Sequence, residues 1–163
     1  MYQEAHRRLV ARHYDCLAED RRVDRSFADI RVDELRQLYH WRYGYELPDD
    51  DAGSEDLELM LHTIALTGGD TIKKMVMWAE LWAPWLPSMQ ATALAETIAA
   101  NPRRFSSETL GEHLRLTFIE RERLGIRTIG SVDVTKETRL EMSRQKRVKR
   151  NASGAGCRCE ASC

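Results

Sequence analysis

Apolar residues recur at helical spacing along most of the chain, a pattern typical of a series of amphipathic helices. Together with capping and stop signals, the pattern predicts five helices, over about 2–19, 32–43, 54–66, 71–82 and 88–100. Alternating strand patterns and glycine-rich hairpin turns do not occur between them. The sequence therefore predicts an all-α fold with a compact bundle of about five helices.

The helix predicted over 71–82 carries the most continuous apolar face. Trp78 and Trp82 are one turn apart on it, and rings at this spacing pack in a core far more often than they hold a ligand. We expect this helix to lie at the centre of the core. Its apolar stripe comprises Ile72, Met75, Val76, Ala79 and Trp82.

Capping signals predict two further short helices between residues 106 and 125. Ser107 is expected to cap the first, and Thr117 with Glu120 has the spacing of a capping box at the start of the second. Gly125 then ends the second helix, because a left-handed residue after a helix suits glycine. Two short helices joined by a tight turn would form a hairpin similar to a helix-turn-helix unit.

The residues of this hairpin fit two hypotheses. A helix-turn-helix unit needs a small residue in its first helix and apolar residues on the inner face of its second helix. Gly111 is the small residue in the first helix. The apolar residues that partly meet the second need are Leu116, Ile119 and Leu124. Arg121, however, stands where an apolar residue is expected, and Glu120 and Glu122 would repel phosphates. A second helix that enters the major groove and an ordinary antiparallel helical hairpin both stay open.

Beyond Asp133 the chain becomes strongly basic. A helix predicted over 135–150 contains two acidic residues and few apolar residues that could hold it in a core. Its basic residues are Lys136, Arg139, Arg144, Lys146, Arg147, Lys149 and Arg150. We expect this helix to protrude and to contact nucleic-acid phosphates, with Arg115 and Arg127 as additional contacts.

Charge is unevenly distributed, although the formal net charge is only −1. Residues 1–102 contain 11 basic and 18 acidic residues, whereas residues 103–150 contain 13 basic and 7 acidic residues. Such asymmetry suggests a polyanionic partner, and double-stranded DNA is the one we expect, although phosphate contacts do not distinguish it from RNA. The alternative is a protein–protein interaction module whose basic helix docks on an acidic surface of a partner, or on residues 49–58 of a second copy.

The same features suggest an organisation into successive segments. Residues 1–25 would form a loosely packed N-terminal helix, and residues 26–132 a helical domain that includes the hairpin at 106–125. Residues 133–150 would form a basic helical arm, and residues 151–163 a disordered tail. The predicted core therefore lies in the middle of the chain.

Chemical motifs are missing from the sequence. Nucleophile-elbow, zinc-protease and phosphate-binding-loop patterns do not occur, so we expect a non-enzymatic protein without cofactor or metal. Cys157, Cys159 and Cys163 would offer three ligands in a small-residue tail, fewer than a tetrahedral zinc site needs. The sequence has no apolar run long enough to span a membrane and no secretory signal at its N-terminus, which predicts a cytoplasmic protein without a membrane partner.

Three stretches between residues 30 and 150 read YELPDDDAGSEDLELML, WAELWAPWLP and LGEHLRLTFIERERLGIRTIGSVDVTKETR. In this combination the chain resembles a family of small all-helical proteins of unsettled function that are encoded on bacterial plasmids, prophages and integrative elements. The resemblance implies a mobile-element context, with DNA transactions or their regulation as the expected role, and it transfers no catalytic residues. Family members generally continue into a further arginine-rich segment, where this chain has NASGAGCRCEASC.

Overall fold

The structure is a computed structural model that describes residues 26–154. No strand occurs in this part of the chain, and the predicted all-α fold is confirmed. The predicted helix over 2–19 and the three C-terminal cysteines lie outside the described residues. The helices are α1 (Phe27–Tyr43), α2 (Asp51–Ile64), α3 (Thr71–Trp82), α4 (Ser88–Ala100), α5 (Ser107–His113), α6 (Phe118–Arg123) and α7 (Lys136–Gly154).

Helices α1 and α2 begin earlier than their apolar stripes predict, because polar caps precede those stripes. Ser26 Oγ accepts a hydrogen bond from the Asp29 N–H at 3.2 Å, and the Asp29 carboxylate accepts one from the Ser26 N–H at 3.1 Å. At α2 the Asp50 carboxylate accepts the Gly53 N–H at 2.8 Å, which satisfies a backbone donor ahead of the predicted start. α7 likewise continues past the predicted end at residue 150, as far as Gly154.

Helix α3 contributes Met75, Trp78, Ala79 and Trp82 to the core, but α2 lies at its centre, because α2 packs against α1, α3 and α4 and has more buried residues than α3. The Trp78 and Trp82 rings stack with centroids 5.3 Å apart and 5° between their planes. Ile72, however, is 39% exposed, so the buried stripe begins at Met75. α3 and α4 have the predicted bounds, and the buried Ala91 and Ala95 of α4 are small enough to let the two helices approach closely. Other fully enclosed core side chains are Leu35, Leu38, Tyr39, Met60 and Leu61.

A buried polar contact joins α1 to α2. The Tyr39 hydroxyl donates to the Asp56 backbone carbonyl at 2.9 Å, and the Tyr43 hydroxyl donates to the Asp56 carboxylate at 2.8 Å. Burial raises the pKa of the Asp56 carboxyl, although the hydrogen bond from Tyr43 acts in the opposite direction. Burial together with that hydrogen bond raises the pKa of Tyr43 to about 12. Within the acidic stretch 49–58, the Asp56 carboxylate is therefore buried and bonded to Tyr43.

The core continues beyond the first four helices. Leucine and isoleucine side chains from α5, from the turn after it and from the segment after α6 are all at most 2% exposed. These residues are Leu110, Leu114, Leu116, Ile126 and Ile129. The hairpin region therefore shares one apolar core with the helices that precede it.

Candidate nucleic-acid interface

Two buried charges on α1 hold the connecting segment, residues 124–135, which joins α6 to α7. Glu34 is 6% exposed, and its carboxylate accepts the Arg127 N–H at 2.6 Å, the Thr128 N–H at 2.9 Å and the Thr128 hydroxyl. One turn earlier, Arg31 donates to the Thr128 carbonyl at 3.2 Å. Opposite charges thus satisfy the donors and the acceptor of one short stretch, which fixes its position and its direction.

Arg42, near the end of α1, holds the two helices of the hairpin. Its guanidinium donates to the Leu114 carbonyl at 2.7 Å and pairs with Glu120 at 3.2 Å. The predicted capping box of Thr117 and Glu120 is confirmed. Burial opposes ionisation of Glu120, but hydrogen bonds from Thr117 and Arg42 outweigh it and lower the pKa of the carboxyl. Glu120 is therefore bound within the molecule, where the sequence suggested an acid facing phosphates.

Arg121 takes the inward position at which a helix-turn-helix unit would have an apolar residue. Its guanidinium donates to the Ile129 carbonyl at 2.8 Å and to the Arg127 carbonyl at 3.0 Å. Burial lowers the pKa of this guanidinium, and the nearby Arg139 lowers it further. Ile119, expected to pack inward, is instead 76% exposed. Arg121 thus holds α6 to the connecting segment. Its charged side chain suits this position because the backbone carbonyls of that segment need hydrogen-bond donors.

The connecting segment passes directly over α5 at Gly111. A Cβ atom on Gly111 would lie 2.6 Å from both the carbonyl carbon and the carbonyl oxygen of Gly130. The Gly130 N–H donates to the Ser107 carbonyl at 2.8 Å, which draws the two backbones together. The predicted small residue in the first short helix therefore makes room for the connecting segment, since the three atoms nearest to a Cβ on Gly111 all belong to Gly130.

The cap of α5 is Ser106 rather than the predicted Ser107. Ser106 Oγ accepts the Thr109 N–H at 3.0 Å. The Ser107 hydroxyl instead donates to the Thr128 carbonyl at 2.8 Å. The backbone of Thr128 is consequently bound by side chains from both α1 and α5.

Helix α6 presents a small outer surface. It has six residues, which corresponds to about 9 Å of helix. Its exposed side chains are Ile119, Glu122 and Arg123, and the Arg123 guanidinium carbon lies 4.1 Å from the centroid of the Trp41 ring. This surface is short and of mixed charge, which favours the helical-hairpin hypothesis over a helix that enters a DNA groove.

Helix α7 is tied to the hairpin at two points. Arg139, whose side chain is 11% exposed, pairs with Glu108 at 2.8 Å and donates to the Val134 carbonyl at 2.6 Å. Two turns further on, Lys146 pairs with Glu122 at 2.7 Å. These acidic partners lie on the two short helices α5 and α6, so one ion pair joins α7 to each of them.

The structure separates the predicted phosphate contacts into two groups. The Arg139 side chain is largely buried and pairs with Glu108, so it holds α7 in place. Arg144, although close to Glu141 at 3.8 Å, is exposed, as is Lys146 beside Glu122. The exposed group consists of Arg115, Arg127, Lys136, Arg144, Lys146, Arg147, Lys149 and Arg150. Sequence composition could not divide the seven arm residues in this way, because it does not show which of them is buried against the rest of the protein.

Replacing Arg139 with methionine should release α7 from the hairpin. We expect the free energy of unfolding to fall by about 1–2 kcal/mol, because a charge-assisted pair and a carbonyl contact are lost together. Chemical denaturation measures this change, and amide hydrogen exchange should become faster along α7. Arg144→Met is the matched control, since its exposed pair should contribute less than about 0.5 kcal/mol. Equal effects of the two substitutions would contradict the assigned role of Arg139.

Within residues 26–154, no helix is both long and apolar enough to cross a membrane. The same residues contain no group of three or more His, Cys, Asp or Glu side chains that could hold a metal ion. Fold and site together define an all-helical protein in which an exposed, basic C-terminal helix forms ion pairs with acidic residues of two short helices. No protein-family model matches the chain, and comparisons with the curated proteins and with the solved structures found no significant match.

Proposed function

We propose that the protein is a non-enzymatic DNA-binding accessory or regulatory protein of a mobile genetic element, acting in the cytoplasm. In this proposal α7 binds the DNA backbone, and the hairpin holds α7 in position. The support comes from the charge and exposure of α7 and from the way it is held. The resemblance to helical proteins of mobile elements supports the biological context.

One observation carries the proposal. From residue 140 to residue 150 every side chain except Met142 is exposed, and five of these residues are basic. A helix of this composition gains little stability from packing against a core. Its charged side chains are instead stabilised by solvent or by a binding partner. A polyanion supplies that interaction, because cationic side chains release condensed counterions when they reach phosphates.

The spacing along α7 suits a phosphate backbone. Arg144, Arg147 and Arg150 follow each other at three-residue intervals, so they lie along one side of the helix. At a rise of 1.5 Å per residue they span about 9 Å, which corresponds to roughly three base-pair steps of duplex. Lys149 adds a neighbouring charge. These contacts position the protein on DNA and carry no base sequence information.

Salt dependence tests the proposal. Lys136, Arg144, Arg147, Lys149 and Arg150 would neutralise five phosphates, so the logarithm of the association constant for random-sequence duplex should fall with the logarithm of salt concentration with a slope of about −4 to −5. Fluorescence anisotropy with a labelled duplex measures the slope. The same titration with a labelled single-stranded or duplex RNA would show whether the partner is restricted to DNA.

A charge-matched pair of variants sharpens this test. Arg147→Gln/Arg150→Gln should reduce the magnitude of the slope by about 2. Lys73→Gln/Lys74→Gln removes the same charge from exposed positions on α3 and should leave the slope unchanged. An affinity that does not change with salt, or an equal effect of the two double variants, would refute phosphate binding by α7.

A protein–protein interaction module is the second candidate, and one observation favours it. Leu140 and Val148 of α7 are both exposed apolar residues. Contacts between α7 and DNA phosphates would leave these two side chains in water, whereas a protein partner could bury them. In that case α7 would dock on an acidic surface, such as the exposed Asp49, Asp51 and Glu55 of a second copy. Light scattering over a range of protein concentrations would then show a dimer that high salt dissociates and that random-sequence duplex does not.

A further inference from the structure

A cavity of about 330 Å³ opens between the start of α1, the end of α2 and the segment before α5. Its size falls within the range of about 300–1,000 Å³ typical of small-molecule sites. No residue of α7, which makes the proposed DNA contacts, lines this cavity. The residues that line it are Ser26, Phe27, Ala28, Arg31, Thr63, Leu66, Arg103, Arg104 and Phe105.

The charge of the lining is entirely positive. Arg31, Arg103 and Arg104 contribute three guanidinium groups, and among residues 26–154 no acidic side chain lines the cavity. The nearest carboxylate along the chain, that of Asp29, is bound to the Ser26 N–H at 3.1 Å and to the Ser26 hydroxyl at 2.6 Å. A concave surface lined by positive charges concentrates anions, because the surrounding protein screens charge less than water does.

Arg31 has an unused donor at this cavity. Its terminal nitrogens donate to the carbonyls of Phe105 at 2.8 Å and of Thr128 at 3.2 Å, whereas its Nε is enclosed and has no acceptor. Arg31 itself is 8% exposed, and burial lowers the pKa of its guanidinium despite the nearby Glu34. Arg31 therefore adds positive charge to the wall of the cavity, whereas the exposed Arg103 and Arg104 are the guanidinium groups that a ligand can reach.

Aromatic surface surrounds these charges. The Phe27 ring lies with its centroid 4.7 Å from the Arg31 guanidinium carbon, yet 59% of the residue is exposed to solvent. Phe105 and Leu66 supply further apolar lining. A ligand with an apolar body would cover the exposed Phe27 ring.

We propose that this cavity binds a small organic anion that combines an acid group with an aromatic or apolar body. The acid group would be bound by Arg103 and Arg104, and the body would pack against Phe27, Leu66 and Phe105. The shared chemistry is that of an aryl phosphate or an aryl carboxylate. Such a site would give the protein a ligand-binding function that is independent of α7.

Amide chemical shifts of the full chain test this proposal, with phenyl phosphate, benzoate, inorganic phosphate and phenol as probes. Phenyl phosphate or benzoate should give saturable shifts at lining residues, and phenol and inorganic phosphate should bind at least about tenfold more weakly, because each lacks one half of the recognised chemistry. Whichever of the two aryl acids binds more tightly identifies the acid group. The proposal fails if no probe saturates below about 10 mM, if phenol binds as tightly as the acids, or if the shifts map elsewhere.

Variants separate the cavity from general surface charge. Arg103→Met/Arg104→Met, at two exposed positions, should weaken the tighter aryl acid by about tenfold or more, whereas Lys73→Met/Lys74→Met removes the same charge from α3 and should not. Ala28→Leu should also weaken binding by filling the space without changing charge. Equal affinity in wild type and in the arginine double variant, with both spectra showing a folded protein, would overturn the proposal.

Discussion

Replacement of Glu34 by alanine is expected to lower the free energy of unfolding by about 3 kcal/mol or more, the largest effect of any single polar substitution considered for this protein. The carboxylate is buried and accepts two backbone N–H groups and a hydroxyl from residues 127 and 128. Its removal leaves these donors without an acceptor and leaves Arg31 beside them without a compensating charge. Both consequences act in the same direction.

Equilibrium denaturation in urea measures the change, and two variants serve as controls. Glu34→Gln keeps the shape and one accepting oxygen, so its effect should be intermediate. Glu58→Ala removes an exposed carboxylate on α2 and should change stability by less than about 0.5 kcal/mol. If Glu34→Ala were as mild as Glu58→Ala, the contact between α1 and the connecting segment would not contribute to stability.

The second large effect is expected from Gly111→Ala. The added Cβ would lie 2.6 Å from two backbone atoms of Gly130, and neither can move as a flexible side chain would. Overpacking of this kind typically costs about 1–3 kcal/mol, and the higher helix propensity of alanine offsets up to about 1 kcal/mol of it. We expect a net loss of about 2 kcal/mol, with the connecting segment displaced from α5.

A glycine in open space provides the matched control for this substitution. A Cβ on Gly68 would meet no atom within 4 Å, so Gly68→Ala should be neutral or slightly stabilising. Thermal unfolding of the two variants, followed by circular dichroism, gives the comparison directly. A loss of stability in Gly68→Ala as large as that in Gly111→Ala would show that the contact with Gly130 is not the cause of the loss.

Local signals in the sequence were sufficient for much of the fold. Helices α3 and α4 have the predicted bounds, because each combines an apolar stripe with a clear signal at both ends. The capping box at Thr117 was visible because both of its partners lie within three residues. Adjacent Ser106 and Ser107 could not be told apart, since either hydroxyl can cap a helix and only a contact with the distant Thr128 decides between them.

The candidate site was less accessible to sequence reasoning, because its decisive contacts join residues far apart in the chain. Arg31, Glu34 and Arg42 look like members of a solvated helix face, yet their partners are 72 to 97 residues away. One signal was available: Arg31 and Arg42 fall at helical spacing with Leu35 and Leu38, on the apolar side of α1. A charge in an apolar stripe predicts a buried partner without saying which one.

The bonds around Thr128 have a consequence for the order in which a growing chain can be completed. Arg31 and Glu34 belong to the first described helix, but Thr128 is synthesised 94 residues after Glu34. A nascent chain that stops short of this threonine carries two charges that it can neither bury without penalty nor pair natively. The native contacts of Arg31 and Glu34 can therefore form only after synthesis has passed Thr128, and α7 is the next helix that the ribosome makes.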